Sequence, residues 1–262
     1  MSKIKILTGW SNKGGSTTAF IRLTNALNKH GLDVTLYGPH DYHLDKCKSD
    51  ILNNFIAEPD DIVIVHFLRL PERPKVKKVI LACHEKDLFK VGEIRQFWDV
   101  VVFLNERHRE YHKSYTNKFT IIPNLKEVIP VKLRDEDGDY IAGIIGSFDE
   151  NKQTHVSIQR ALHDGCDKVY LFGDPNTEYF NSKIKPLLSD KVILKGFMES
   201  KEDMYSLIDC VYHSSLSEVA CLVKDECEAL DIPFNGNQAT STPVSQLSND
   251  EVINLWVKLF ES

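Results

Sequence analysis

Two glutamates eight residues apart, Glu218 and Glu226, lie in a segment that reads as a strand end, a turn and a helix. Cys210-Val211-Tyr212 is a short apolar run, and Leu222, Val223, Glu226, Ala229 and Leu230 then fall at helical spacing. This puts Glu218 at the strand-to-helix turn and Glu226 about two turns later. A carboxylate at each place can hold two hydroxyl-bearing parts of one ligand, and backbone N–H groups at the helix start can meet an anionic part of it. Taken alone, the segment also reads as an ordinary amphipathic helix with solvated acids.

The elements that must position these residues follow from runs of apolar, β-branched residues. A first strand at 4–8 leads into the Gly-rich loop Gly9-Trp10-Ser11-Asn12-Lys13-Gly14-Gly15-Ser16. A helix is expected over 17–30, with Ala19, Phe20, Leu23 and Leu27 on one face, stopped by Gly31 before a strand at 34–37. Glycine at the first crossover of such a unit is the pattern of a parallel, nucleotide-related sheet. Further strands are expected at 62–66, 78–82, 100–104 and 119–122, with a helix over 105–115. Continuous apolar runs of this kind suit strands buried on both faces.

Residues 126–139 are rich in charge and contain Pro130 and Gly138, which reads as a linker between a domain at 1–125 and another at 140–246. The second series has strands at 140–146, 168–172 and 192–194, a helix over 200–208, then the strand before Glu218. Residues 235–248 read as polar loop. The segment 247–262 reads as a last helix, with Val252, Ile253, Trp256, Leu259 and Phe260 on its apolar side.

The chain has 262 residues, 42% of them hydrophobic and 27% charged, with a net charge of −6. No global basic field points to nucleic acid. The cluster Lys75, Lys77 and Lys78 reads as solvated surface. Six scattered cysteines without a C-x-x-C pair, the lack of a signal-peptide pattern and of any long apolar run predict a soluble, cytoplasmic protein with reduced thiols.

In order along the chain, these motifs resemble those of the group-1, family-4 glycosyltransferases. The hallmark of that family is Glu, seven residues, a second Glu, a small-residue helix and a Pro; here these are Glu218, Glu226, Ala229 and Pro233. Ser215, Gly146 to Lys152, Leu171-Phe172-Gly173-Asp174, Lys195-Gly196-Phe197 and Asp209 match further family segments. More loosely, so do Lys13-Gly14-Gly15-Ser16, His30 to Val34, Cys83-His84-Glu85 and Ile121-Ile122-Pro123-Asn124.

The resemblance implies an α/β protein of the GT-B type, with two Rossmann-like domains facing across a cleft. It implies a retaining hexosyl- or pentosyltransferase that uses a nucleotide-sugar, UDP- or GDP-linked, and needs no metal. Glu226 would bind the ribose hydroxyls. Glu218 would contact the donor sugar, Lys152 would neutralise the diphosphate, and His84 would approach the sugar from the N-terminal domain. Gly14, Gly15, Ser147, Gly173, Phe197, Ser215, Val219, Ala220, Cys221 and Leu222 would line the donor site, and the last helix would return to the first domain. The implied acceptor is an envelope glycan or a lipid-linked sugar, with hydroxymethylated bases of phage DNA as the alternative.

Two departures stand out. Ser147 replaces the Arg of the family, and Val219-Ala220-Cys221 replaces Gly-Phe-Gly, where side chains would crowd the phosphate-binding amides. An inactive, sugar-nucleotide-binding relative is therefore a competing reading. Residues 12–18 also resemble a ParA-type Walker loop, but the second lysine is absent and the next strand ends in Tyr37 rather than a metal-positioning Asp. His108 and His112 read as two solvated histidines, His84 alone as structural, Trp10 and Trp98 as packing residues, and Asp135-Glu136-Asp137 as a solvated turn.

Overall fold

The computed structural model describes residues 2–11, 13–86, 98–112, 118–130, 134, 138–242 and 244–262. Asn12, Asp135-Glu136-Asp137 and the expected end of the helix at Tyr115 lie outside the described residues. The chain divides into two compact units, one of residues 1–126 with 245–262, the other of residues 127–244.

In the first unit, β1 (Ile4–Thr8), β2 (Val34–Gly38), β3 (Ser49–Ile51), β4 (Ile62–His66), β5 (Lys78–Ala82), β6 (Val100–Phe103) and β7 (Phe119–Ile121) form one sheet. Its order is β3-β2-β1-β4-β5-β6-β7 and every pairing is parallel. All five residues of β1 and of β4 are buried, as apolar runs in strands covered on both faces require. α1 (Gly15–Lys29) lays Ala19, Phe20, Leu23 and Leu27 on this sheet. It ends where Gly31, at φ +93°, lets the Leu32 N–H return to the Leu27 carbonyl.

α2 (Glu106–Tyr111) follows β6. A third helix of this unit, separated from it in sequence by the whole second unit, is the last in the chain, Asn249–Glu261. Its Val252, Ile253, Trp256 and Phe260 join the core with Phe20, Ile64 and Ile80. Ser248 caps it with a reciprocal Glu251 bond.

The second unit repeats the plan with β8 (Ile141–Ile145), β9 (Lys168–Phe172), β10 (Val192–Leu194), β11 (Cys210–Tyr212) and β12 (Phe234–Asn235), in the order β10-β9-β8-β11-β12, all parallel. Its helices are α3 (Thr154–His163), α4 (Lys201–Tyr205) and α5 (Leu222–Leu230); the last helix of the chain is α6. In both sheets the winding reverses beside the first strand, between β1 and β4 and between β8 and β11. Beyond the carboxyl ends of the strands at such a point, open α/β sheets bind ligands.

Several expectations are corrected. Residues 235–248, expected as loop, begin with the end of edge strand β12 and include a helical turn at Gln238–Thr240. Lys78 is not merely solvated: its ammonium donates to the Leu259 carbonyl at 2.6 Å. His108 and His112 are buried, 0% and 2% exposed, against the Phe103 ring. Trp10 is exposed, edge-on to Phe67, rather than packed inside.

Candidate functional site

The reversal point of the second sheet collects the side chains that can do chemistry. The loop leaving β8 carries Lys152, and the one leaving β11 carries His213, Ser215 and Glu218. The two loops are tied together by the Leu216 N–H on the Asn151 carbonyl at 2.7 Å and the Asn151 amide on the Ser217 carbonyl at 3.2 Å. Asn237 donates to the Ser215 carbonyl at 2.8 Å, and Arg160 of α3 to the Ser214 hydroxyl at 3.0 Å.

Glu218 is at the centre. Its Oε1 lies 2.5 Å from the Lys152 ammonium and 2.9 Å from Nε2 of His213, which also faces the Ser215 hydroxyl at 2.9 Å. Among the described residues no bond is recorded to Oε2, so one oxygen is anchored and the other is available to a ligand hydroxyl. Burial would raise the Glu218 carboxyl, but the His213 hydrogen bond and the Lys152 charge hold it down at about 2. Burial acts against the Lys152 ammonium, and Glu218 more than offsets it, so the lysine stays charged. A lysine has three N–H donors. Among the described residues one goes to Glu218, and two remain for an anion.

Glu226, one turn into α5, is 3% exposed, and the structure satisfies both its oxygens from α4. Lys201 donates to Oε1, and the Tyr205 hydroxyl to Oε2 at 2.8 Å. Lys201 also pairs with Glu127 at 2.7 Å. An ionised carboxylate offers about four acceptor positions in all. Ser147 donates to Asp149 at 2.5 Å, and Asp149 in turn accepts the Lys152 backbone N–H at 2.8 Å. Val219 and Cys221 are 8% and 4% exposed, with the Cys221 sulfur 4.0 Å from His213 Nε2. Both are therefore buried, just ahead of Leu222, where α5 begins. Phe197 is 38% exposed.

Gly173 has a packing reason. A Cβ there would lie 2.3 Å from the Gly146 carbonyl and 2.8 Å from the Phe148 ring. Gly173→Ala is expected to cost about 1–3 kcal/mol, read as a lower urea midpoint with unchanged slope.

The remaining expected residues belong to the first unit. Gly14 precedes α1 and Gly15 opens it; a Cβ on Gly14 would meet only Trp10 Nε1, at 3.9 Å. His84 stacks on Phe20, with ring centroids 4.7 Å apart, and lines a small cavity with Leu104, Pro123, Asn124 and Trp256. Cys83, His108 and His112 present ligand atoms within 4.8 Å of one another. The Leu104 N–H nevertheless donates to His108 Nδ1 at 3.3 Å, which leaves its hydrogen on Nε2, the atom a metal would need bare. His108 and His112 instead direct Nε2 at the Glu85 carbonyl, at 3.0 and 3.2 Å.

Sequence reasoning missed His213, Lys201 and Tyr205. The position of His213 directly after a buried strand and two residues before Ser215 was a usable signal. Nothing local marks Lys201 and Tyr205, which reach Glu226 from more than twenty residues away.

No family model matches the sequence, and no curated protein matches it. Solved structures do match. HepE of Anabaena in complex with UDP and glucose aligns with a TM-score of 0.69 at 12% identity, over 100% of this chain and 90% of that one. A glycosyltransferase from Rickettsia africae aligns with a TM-score of 0.69 at 13% identity, over 92% and 80%. The lipopolysaccharide outer core galactosyltransferase WaaB aligns with a TM-score of 0.61 at 13% identity, over 99% and 90%. The fold is that of the GT-B glycosyltransferases, with two parallel α/β sheets in one chain. Among the described residues, no helix is long and apolar enough to cross a membrane.

Proposed function

We propose that this chain is a retaining glycosyltransferase that takes a sugar from a nucleotide-sugar and passes it to an acceptor hydroxyl. The observation that carries the reading is the Lys152–Glu218–His213 cluster at the reversal point of the second sheet. The diphosphate would lie at the start of α5, where helix N–H groups and the two spare donors of Lys152 meet its charge. The free oxygen of Glu218 would take a sugar hydroxyl, and its negative charge would stabilise the cation developing at the anomeric carbon. Glu226 would receive the ribose hydroxyls.

In the reaction the bond from the anomeric carbon to the phosphate oxygen breaks, and one to the acceptor oxygen forms on the same face. The acceptor proton passes to the departing phosphate. The solved complex of HepE with UDP and glucose supports a UDP-sugar as the first donor to try. WaaB, a lipopolysaccharide outer core galactosyltransferase, and WaaG, a glycosyltransferase involved in lipopolysaccharide biosynthesis, support a glycan or lipid-linked acceptor.

The test is release of nucleoside diphosphate from a panel of UDP- and GDP-sugars, with glycan, lipid-linked and hydroxymethylated-DNA acceptors. Turnover that Glu218→Gln lowers by at least 100-fold is expected, about 3 kcal/mol of barrier. Donor binding without turnover on any acceptor would point to a binding protein instead. A donor panel that neither binds nor turns over sinks the reading.

A further inference from the structure

At the reversal point of the second sheet, His213, Glu218 and Cys221 each present a metal-ligating atom, all within 4.8 Å of one another. From Nε2 of His213, Glu218 Oε1 and the Ser215 hydroxyl are each 2.9 Å away and the Cys221 sulfur 4.0 Å. One ring nitrogen has at most one hydrogen to give, so it cannot donate to all three neighbours. A tetrahedral zinc ion, with bonds of about 2.0–2.3 Å, sets its N, O and S ligands roughly 3.3–3.7 Å apart. Side-chain shifts of about 1 Å bring the three atoms to that spacing.

His213 can present Nε2 bare. Its polar contacts are made by Nε2 and by its backbone N–H, which donates to the Asn235 carbonyl at 3.2 Å. Among the described residues no hydrogen bond is recorded on Nδ1, so Nδ1 can carry the ring hydrogen when Nε2 meets a metal. His108 lacks this freedom, since the Leu104 N–H on its Nδ1 leaves the hydrogen on Nε2. The His213 ring leans on Phe234, with centroids 5.9 Å apart, and Asn151 and Asn237 hold the loop that follows. Outer contacts of this kind orient a ligand before the metal arrives.

We infer that His213, Glu218 and Cys221 form a binding site for a thiophilic dication of the zinc class, and that the bound ion blocks transfer. A thiolate with an imidazole selects zinc or cobalt over magnesium and calcium, which prefer oxygen ligands. On binding, the Cys221 S–H bond breaks, a sulfur–metal bond forms, and the proton goes to solvent. The ring hydrogen of His213 moves from Nε2 to Nδ1 through water, with no net change in protons. The thiolate and the Glu218 carboxylate together neutralise the two positive charges, and a water completes the tetrahedron.

Lys152 is the competitor. Its ammonium sits 2.5 Å from the same Glu218 oxygen, so a dication must displace it and is repelled by it. Removing the lysine should therefore tighten metal binding rather than weaken it. The blocking role rests on the transferase reading: a metal on Glu218 cancels the negative charge offered to the cation at the anomeric carbon. The metal site itself does not rest on that reading.

Cobalt(II) and zinc titrations of the reduced full-length protein test site and role. The native chain should bind cobalt with a thiolate-to-metal charge-transfer band that zinc bleaches. Cys221→Ser should lose the band and weaken zinc binding, read against a chromophoric chelator, on the order of 100-fold or more. Cys83→Ser, in the first unit, should keep the band. Lys152→Met should bind zinc about tenfold more tightly, a gain that a poorly folded chain cannot give. No band in the native protein, or one that survives Cys221→Ser, overturns the site. Zinc binding that Lys152→Met leaves unchanged or weakens overturns its placement on Glu218. Zinc should stop nucleoside diphosphate release and a chelator should restore it; full turnover with zinc bound overturns the blocking role. Zinc binding with no turnover on any donor removes the transferase reading alone.

Discussion

Lys152→Met should destabilise the second unit by about 2–4 kcal/mol, and Glu218→Gln in the same background should recover most of that loss. The Glu218 and Lys152 side chains are 10% and 26% exposed, and their contact is 2.5 Å. Removing one member of a buried pair strands the other charge without its partner, the costly case; removing both leaves no uncompensated ion. His213 softens the loss, because it still donates to Glu218 Oε1 when Lys152 is gone. A urea double-mutant cycle reads the coupling directly. Turnover should behave differently, falling in both single variants and staying low in the double. Recovered stability with persistent loss of activity would separate what the pair does for the fold from what it does for the reaction. Additive stability losses would show that the two groups do not act as a pair.

Acid should weaken the first unit well before it protonates ordinary carboxylates. Burial pushes His84 down to about 3 and His108 down to about 4, from 6.5 in an unfolded chain. A group whose folded value is depressed binds fewer protons in the native state than in the unfolded one. Stability is therefore full above the unfolded value and is lost as pH falls from 6.5 toward 3–4. With a discount for the half-buried His84, the loss at pH 5 is on the order of 2–4 kcal/mol.

The measurement is selective because the three tryptophans, Trp10, Trp98 and Trp256, all lie in residues 1–126 and 245–262. Tryptophan fluorescence should show the midpoint for this unit dropping by roughly 5–15 °C between pH 7 and pH 5. His108→Gln should flatten the dependence. Glu218, held down at about 2, contributes with the same sign in the other unit but in a lower window, between 4.5 and 2. A first unit equally stable at pH 7 and pH 5 would contradict the depressed histidines.

The long strands were legible because β1, β4 and β5 are apolar runs with little else in them. β3 and β12 were not, since three half-exposed residues and a two-residue edge carry no period. α3 escaped notice although Ser157, Ile158 and Ala161 form its buried stripe, because its other positions are polar. Glu218, Lys152 and Ser215 could be read from their order along the chain, and the structure brings these three together. The polar makeup of Glu106–Tyr111 suggested solvated histidines, whereas the ring of Phe103 and the Glu85 carbonyl draw His108 and His112 inside. Hydrogen bonding across distant segments overrides a local solvation pattern, and a single chain without partners in view cannot display it.

α6 gives the first unit a dependence on the order of synthesis. Residues 127–244 are contiguous, so every strand of their sheet is translated before residue 249. The first unit is different, because the face of its core that Trp256 and Phe260 cover is completed only by a segment translated after the whole second unit. Until then apolar side chains around Phe20 and Leu23 stay open to water, a surface of the kind that recruits chaperones. A stop codon before Val252 would thus leave residues 127–244 able to fold and the strands made first without their cover.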